Sequence, residues 1–126
     1  MTFTAITDDI LVFPGVGGYT FTASGNITKG QGVTFAGDNK VKVPNDTISR
    51  LIGIANSTVH DNDKVCIFGP GNIVNCNLSG SQSAGTKVGV ISEGYLSNLA
   101  EYSASNQAIV VKGVNSTGKG RVLLLG

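Results

Sequence analysis

The stretch KGQGVTFAGDNKVKV, residues 29 to 43, decides how this chain is interpreted, because a stretch of the same design returns later. Moving 55 residues along the sequence places it on AGTKVGVISEGYLSN, residues 84 to 98, with Gly30 over Gly85. In both copies an acidic turn separates two apolar runs. Alternating apolar residues on either side of such a turn are typical of a β-hairpin. The sequence therefore predicts one hairpin that is used twice.

The repeat extends beyond the hairpin. An Asn-Ser-Thr turn begins at Asn56 and returns at Asn115, which an offset of 59 aligns, and each copy then ends in an apolar strand. We predict two similar units, at about residues 26 to 68 and 81 to 125. Two copies are too few for a solenoid and suit a small closed structure. The predicted fold is all-β, a small β-barrel or sandwich built from two similar β-units, with an extended N-terminal arm.

Residues 1 to 18 differ from the rest of the chain. A Thr-rich start leads into an apolar cluster at residues 10 to 13, and Pro14 and three glycines follow. Because Pro-Gly and Gly-Gly interrupt regular structure, we predict an arm and hinge before a single β-domain at residues 19 to 126. An apolar arm must be covered by its own body or by a neighbour. Two alternatives stay open: the arm binds another molecule, or it forms the first strand of the domain's own sheet.

The composition argues against several classes of protein. Charged residues make up 13% of the chain, the formal net charge is +1 and 40% of residues are apolar, whereas a disordered chain combines low hydrophobicity with high net charge. The nine basic residues form no run, so we expect no nucleic-acid binding. No apolar stretch approaches the length of a membrane span, and the start lacks a signal-peptide pattern. We expect a protein kept in a cytosol, or in a particle assembled there.

His60, the single histidine, stands beside Asp61 and Asp63 just before an apolar run. A calcium loop needs oxygen ligands at fixed alternate positions, a glycine turn and a late Glu, but Lys64 begins a strand where these would follow. The equivalent loop of the second copy, Gly-Lys-Gly, offers no ligand. We therefore expect a polar turn here, and neither a metal nor a cofactor.

The two cysteines, Cys66 and Cys76, flank a Gly-Pro-Gly-Asn turn, so a cross-strand disulfide is conceivable. Disulfide geometry is demanding, and a cytosolic setting disfavours the bond. We expect two small buried apolar residues instead. A nucleophilic cysteine needs a base beside it, and His60 lies in a separate turn. Because no pair of acids stands out either, we predict that the protein is not an enzyme.

Three phrases of the sequence resemble those of a known family. ITKGQGV at residues 27 to 33, LIGIAN at 51 to 56 and KVCIFGPGNI at 64 to 73 are similar to phrases in the small β-rich capsid decoration (cement) proteins of tailed phages and related viruses. The resemblance covers roughly residues 19 to 99 and repeats weakly to 125. It rests on the pattern of Gly and Val and not on a catalytic signature.

The resemblance implies a structural protein of the virion that binds the outer surface of the assembled capsid and stabilises the shell. Its partners would be the major capsid protein and further copies of itself, with which it would form a homotrimer. It would be made in the host cytoplasm. A near-neutral β-body with an apolar arm suits binding by strand addition, in which main-chain hydrogen bonds and a few apolar anchors supply affinity. The predicted anchors of the capsid-binding arm are Phe3, Ile6, Ile10, Leu11, Val12 and Phe13.

A carbohydrate- or ligand-binding β-module of a phage fibre or surface layer is the alternative. Such modules present exposed aromatic side chains, whereas most of the three Tyr and five Phe here are expected at alternating core positions. Tyr95 and Tyr102 are the two candidates for a ligand site of this kind.

Overall fold

The computed structural model describes residues 3–13, 18–100 and 107–125, which form strands, turns and one 3-10 segment at Ser92–Gly94. The all-β prediction is therefore confirmed. No helix in these ranges has the length and apolar character needed to span a membrane. The strands are β1 Leu11–Phe13, β2 Gly18–Ala23, β3 Gly32–Gly37, β4 Lys40–Lys42, β5 Gly53–Ala55, β6 Lys64–Phe68, β7 Ile73–Leu78, β8 Lys87–Val90, β9 Leu96–Ser97, β10 Ala108–Lys112 and β11 Gly118–Leu124.

The strands form two five-stranded barrels. In the first barrel the order is β2-β4-β3-β5-β6, and it closes because β2 pairs with β4 in parallel and with β6 in antiparallel orientation. In the second barrel the order is β7-β9-β8-β10-β11. This barrel closes through a parallel contact between Leu78 and Leu96. The prediction of a small β-barrel is thus confirmed, and the described residues form two such barrels.

A constant offset of 55 residues relates the two barrels. Ile27 bridges to Val59 in the first barrel, and Gln82 bridges to Val114 in the second. The same offset relates the parallel contacts that close the barrels. The offset carries β2 onto β7, a correspondence that lies outside the units predicted from the sequence.

The offset of 59 predicted for the Asn-Ser-Thr turns is wrong. At the structural offset, Asn56 corresponds to Val111, and Asn115 corresponds to His60. In the first barrel the Asn-Ser-Thr turn comes before the bridge residue Val59, and in the second barrel it comes after the bridge residue Val114. The two turns are therefore not equivalent. Turn residues such as Asn and Ser recur because they bond their own backbone, and such a recurrence does not fix a register.

Apolar side chains fill the first barrel. Residues that alternate along a strand face the same side, and the inward set is small and aliphatic: Ala23, Ile27, Val33, Val41, Ala55, Val65 and Ile67. The second barrel has a different content, since buried Gln82 takes the place of Ile27. The two barrels thus have the same strand arrangement although individual interior residues differ.

One apolar core joins the two barrels and the arm. The interior of the second barrel is continuous with Leu51, Ile54 and Phe68 of the first barrel and with Ile6 and Ile10 of the arm. All five side chains are at most 9% exposed. Removing this much apolar surface from water stabilises the arrangement of the barrels and the docked arm together.

Candidate functional site

The N-terminal arm lies along β7 of the second barrel, where β1 forms a short antiparallel ladder. Further along β7, the side-chain amides of Asn75 and Asn77 donate hydrogen bonds to the arm carbonyls of Asp9 (2.7 Å) and Thr4 (2.8 Å). The two asparagines are two residues apart, so both amides face outward from the barrel. Alternating asparagines in the sequence IVNCNL are the signal that could have indicated a docked backbone.

Two of the six predicted anchors belong to the chain's own core. Ile6 is 5% exposed and Ile10 is 0% exposed. The amide of Ile6 also donates to the carbonyl oxygen of Lys29 in the first barrel, at 3.2 Å. In this conformation the arm covers its own domain, which was the second alternative. Binding of the capsid by the arm stays a prediction, and Ile6 and Ile10 would have to leave the core to take part in it.

The other predicted anchors lie nearer the surface. Phe3 is half-buried, with its ring centroid 5.0 Å from that of Tyr95. Leu11 is half-buried, and Val12 is 38% exposed. The side chain of Phe13 and the predicted hinge at residues 14 to 17 lie outside the described residues. Among the described anchors, Val12 is therefore the one that a partner reaches most directly.

An ion pair fixes the middle of the arm. The ammonium group of Lys119 on β11 contacts the carboxylate of Asp8. The hydrogen bond and positive charge of Lys119 lower the pKa of Asp8 below its usual 3.8. Both side chains are about half exposed, so solvent screens the pair and its contribution to stability is small.

The polar turn around His60 is built from its own carboxylates. Asp61 accepts a hydrogen bond from the amide of Gly25 (2.7 Å), and Asp63 accepts one from the amide of His60 (3.0 Å). Across the described ranges, the His, Cys, Asp and Glu side chains form no group of three or more that could hold a metal ion. The carboxylates thus shape the turn, as expected from the sequence.

Both cysteine thiols are free. Cys76 is fully buried inside the second barrel, and burial raises the pKa of its thiol to about 12. Cys66 is half-buried and packs against the shared core. The pair is therefore not joined in this structure, and Cys76 behaves as a small apolar residue.

The candidate ligand-binding tyrosines do not form an exposed site among the described residues. Tyr95 is 6% exposed, and burial together with the charge of Glu93 raises the pKa of its hydroxyl. Tyr102 lies outside the described residues. Tyr95 thus supports the docked arm through Phe3 and does not present a free ring face.

Aromatic side chains are exposed at one end of the first barrel. Tyr19 and Phe35 are 55% and 57% exposed, and half-buried Phe21 meets Phe35 edge-on at a centroid distance of 5.9 Å. We call these three residues the open end. The expectation of core positions is wrong for Tyr19 and Phe35. Tyr19 and Phe35 alternate along their strands as core residues do. Whether such a residue is buried depends on what covers that end of its barrel. The counterparts in the second barrel are fully buried: Val74, Cys76 and Val90.

No protein family and no curated protein matches the sequence. The structure is similar to the N base of head fiber gp8.5 in bacteriophage phi29, with a TM-score of 0.63 and 12% sequence identity. The likeness covers 85% of this chain and 92% of that chain. At such low identity the likeness shows a shared fold. The two chains are alike over nearly their whole lengths, so the shared fold includes both barrels.

Proposed function

We propose that this chain is a non-enzymatic structural protein of a bacteriophage virion that binds the outer surface of the assembled capsid and stabilises the shell. The observation that supports this most is the fold likeness to the base of a phage head fiber, over 85% of the chain. The proposed partners are the major capsid protein and further copies of the same chain, as a homotrimer.

Among the described strands β1 pairs on one side alone, and its other edge is the proposed contact with the shell. β1 stands at the end of the six-strand order of its sheet, with β7 on one side. An edge strand presents unpaired backbone groups that can accept another strand, and strand addition is a common mode of peptide recognition. Val12, 38% exposed on this strand, supplies an apolar contact. Such binding leaves Ile6 and Ile10 in the core and requires no release of the arm.

Co-sedimentation with capsids tests the proposal. Purified chain is mixed with assembled shells that lack it, and the bound fraction is measured after pelleting. We expect saturable binding, and at least tenfold weaker binding for Val12→Asp. Ile48→Asp is the matched control, because Ile48 is also exposed, at 58%, and lies in the loop between β4 and β5. Point variants are preferred to deletion of the arm, because deletion removes two core side chains.

Shell stability is the second measurement. Decorated shells should withstand a higher temperature before they open than bare shells do, since a ligand that binds the assembled state stabilises it. A chain that does not pellet with the shells at saturating excess would contradict capsid binding. A chain that binds without raising the opening temperature would contradict stabilisation alone.

A further inference from the structure

The two barrels pack against each other, and the surface that the first barrel contributes is not the equivalent of the surface that the second contributes. The turn between β8 and β9 docks on the first barrel: the amide of Glu93 donates to the carbonyl of Pro44 (3.0 Å), and the Gln31 side chain donates to the carbonyl of Glu93 (2.9 Å). A Cβ on Gly94 would lie 3.0 Å from the carbonyl oxygen of Gly32. We call Gln31, Gly32 and Pro44, together with Ile54 and Phe68 of the shared core, the first docking face.

The equivalent turn of the first barrel does not dock in this way. Residues 36 to 40, from the end of β3 to the start of β4, are all exposed. Phe35, just before this turn, is 57% exposed, whereas its counterpart Val90 is 0% exposed. Phe35 also lines a groove of about 390 Å³ with Ile52, Pro70 and Leu125, so further apolar side chains lie beside it.

The second barrel carries an equivalent docking face that is also uncovered. Leu99 stands where Pro44 stands in the first barrel, and it is 71% exposed. Lys87 replaces Gly32 and is exposed as well. Ile109 and Leu123 form a cross-strand pair and are half-buried. In the first barrel the equivalent pair is Ile54 and Phe68, which is buried in the shared core. The second docking face is thus Lys87, Leu99, Ile109 and Leu123.

We infer that these two uncovered surfaces bind each other between copies of the chain. The open end and the β3–β4 turn of one copy would lie on the second docking face of the next. The equivalent pair of surfaces, related by the offset of 55, already forms the interface between the barrels within one chain, and charge supports the contact between copies. Exposed Asp38 stands where Glu93 does, and exposed Lys87 belongs to the face that would receive it. Opposite charges at matching positions steer and orient association.

The contact between copies differs from the internal one in one respect. Gly94 approaches the first docking face closely, and Asn39, its counterpart, carries a side chain. The turn of the first barrel therefore lies farther from its partner, and Phe35 and the Asp38–Lys87 pair provide the contact. The interface is head-to-tail, which produces a ring when the rotation closes and a filament when it does not. The inference rests on the self-association proposed above, because a homotrimer requires a closed ring.

Sedimentation velocity on the full chain tests the interface. The wild-type chain should associate with rising concentration, and Phe35→Asp should weaken association at least tenfold. Asp38→Lys and Lys87→Glu should each weaken it severalfold, and the double variant Asp38→Lys/Lys87→Glu should restore it, since the charges then match again. Ile48→Asp is the control for an added surface charge. Equal thermal midpoints for all variants show that folding is unaffected, because every changed side chain is exposed.

The results separate the interface from the proposed function. Association that is unchanged by Phe35→Asp and Lys87→Glu overturns the inference, although self-association then stands. A monomeric wild-type chain overturns both the interface and the homotrimer, and binding to shells is judged by its own measurement. A monomeric chain whose Phe35→Asp variant no longer pellets with shells overturns the inference in favour of an open end that contacts the capsid.

Discussion

Leu78 occupies the space that a side chain on Gly120 would need: a Cβ on Gly120 would lie 2.5 Å from Cδ1 of Leu78. In the first barrel the equivalent residues are Ala23 and Val65. A small and a large residue have thus exchanged places between the two barrels, and all four positions are buried. Packed interiors tolerate changes that conserve total volume better than changes that do not, so two different pairs of residues can fill the equivalent space in the two barrels.

This relationship predicts that the two residues are energetically coupled. Gly120→Ala should lower the free energy of unfolding by about 1–3 kcal/mol through overpacking, and Leu78→Ala by about 2–5 kcal/mol through a cavity. The double variant should lose less than the two single losses together, because the new methyl group enters the space that Leu78 leaves. Recovery is partial, since that methyl group also meets the carbonyl of Lys112 at 2.6 Å. Urea unfolding measures all three, and strictly additive losses would contradict the coupling.

The asparagine amides of β7 should hold the arm in place. Asn77→Ala removes the donor to the Thr4 carbonyl, and we expect a loss of about 1 kcal/mol, the usual net value of a hydrogen bond. The loss should appear as faster amide exchange in the arm, at Ile6 above all, with smaller changes in the first barrel. Asn115→Ala, in an exposed turn, is the control. Equal exchange in both variants would show that the amide does not hold the arm.

Gly30 and Gly85 both adopt positive φ, at 96° and 89°, where glycine is favoured for steric reasons. The hairpin repeat could be predicted from the sequence because the same structural requirement places a glycine in both copies. Such positions survive divergence, so they fix the offset of 55. The sequence did not predict the exposure of Phe35, because alternation specifies which face a residue is on and not what covers that face. It also left the arm undecided, since an apolar strand is equally suited to its own sheet and to a partner's.

Acidification should loosen the middle of the arm. Lys119 lowers the pKa of Asp8, so the folded protein holds that proton less tightly than the unfolded chain does. The ion pair therefore contributes at neutral pH, and its contribution is lost as the pH falls from about 3.8 through the lower pKa of the folded state. NMR titration of the Asp8 carboxyl should report the lowered pKa, and Lys119→Gln should return it toward 3.8. A titration that Lys119→Gln leaves unchanged would contradict this assignment.

Thiol labelling should distinguish the two cysteines. Only thiolates react readily, and the thiol of Cys76, fully buried with a pKa of about 12, should stay unlabelled at pH 8 while the protein is folded. Half-buried Cys66 should react first. Mass spectrometry after labelling with iodoacetamide identifies the sites. In urea the labelling of Cys76 should follow global unfolding, because the thiol lies in the core that joins the second barrel, the first barrel and the arm. Rapid labelling of Cys76 without urea would mean that this core opens locally.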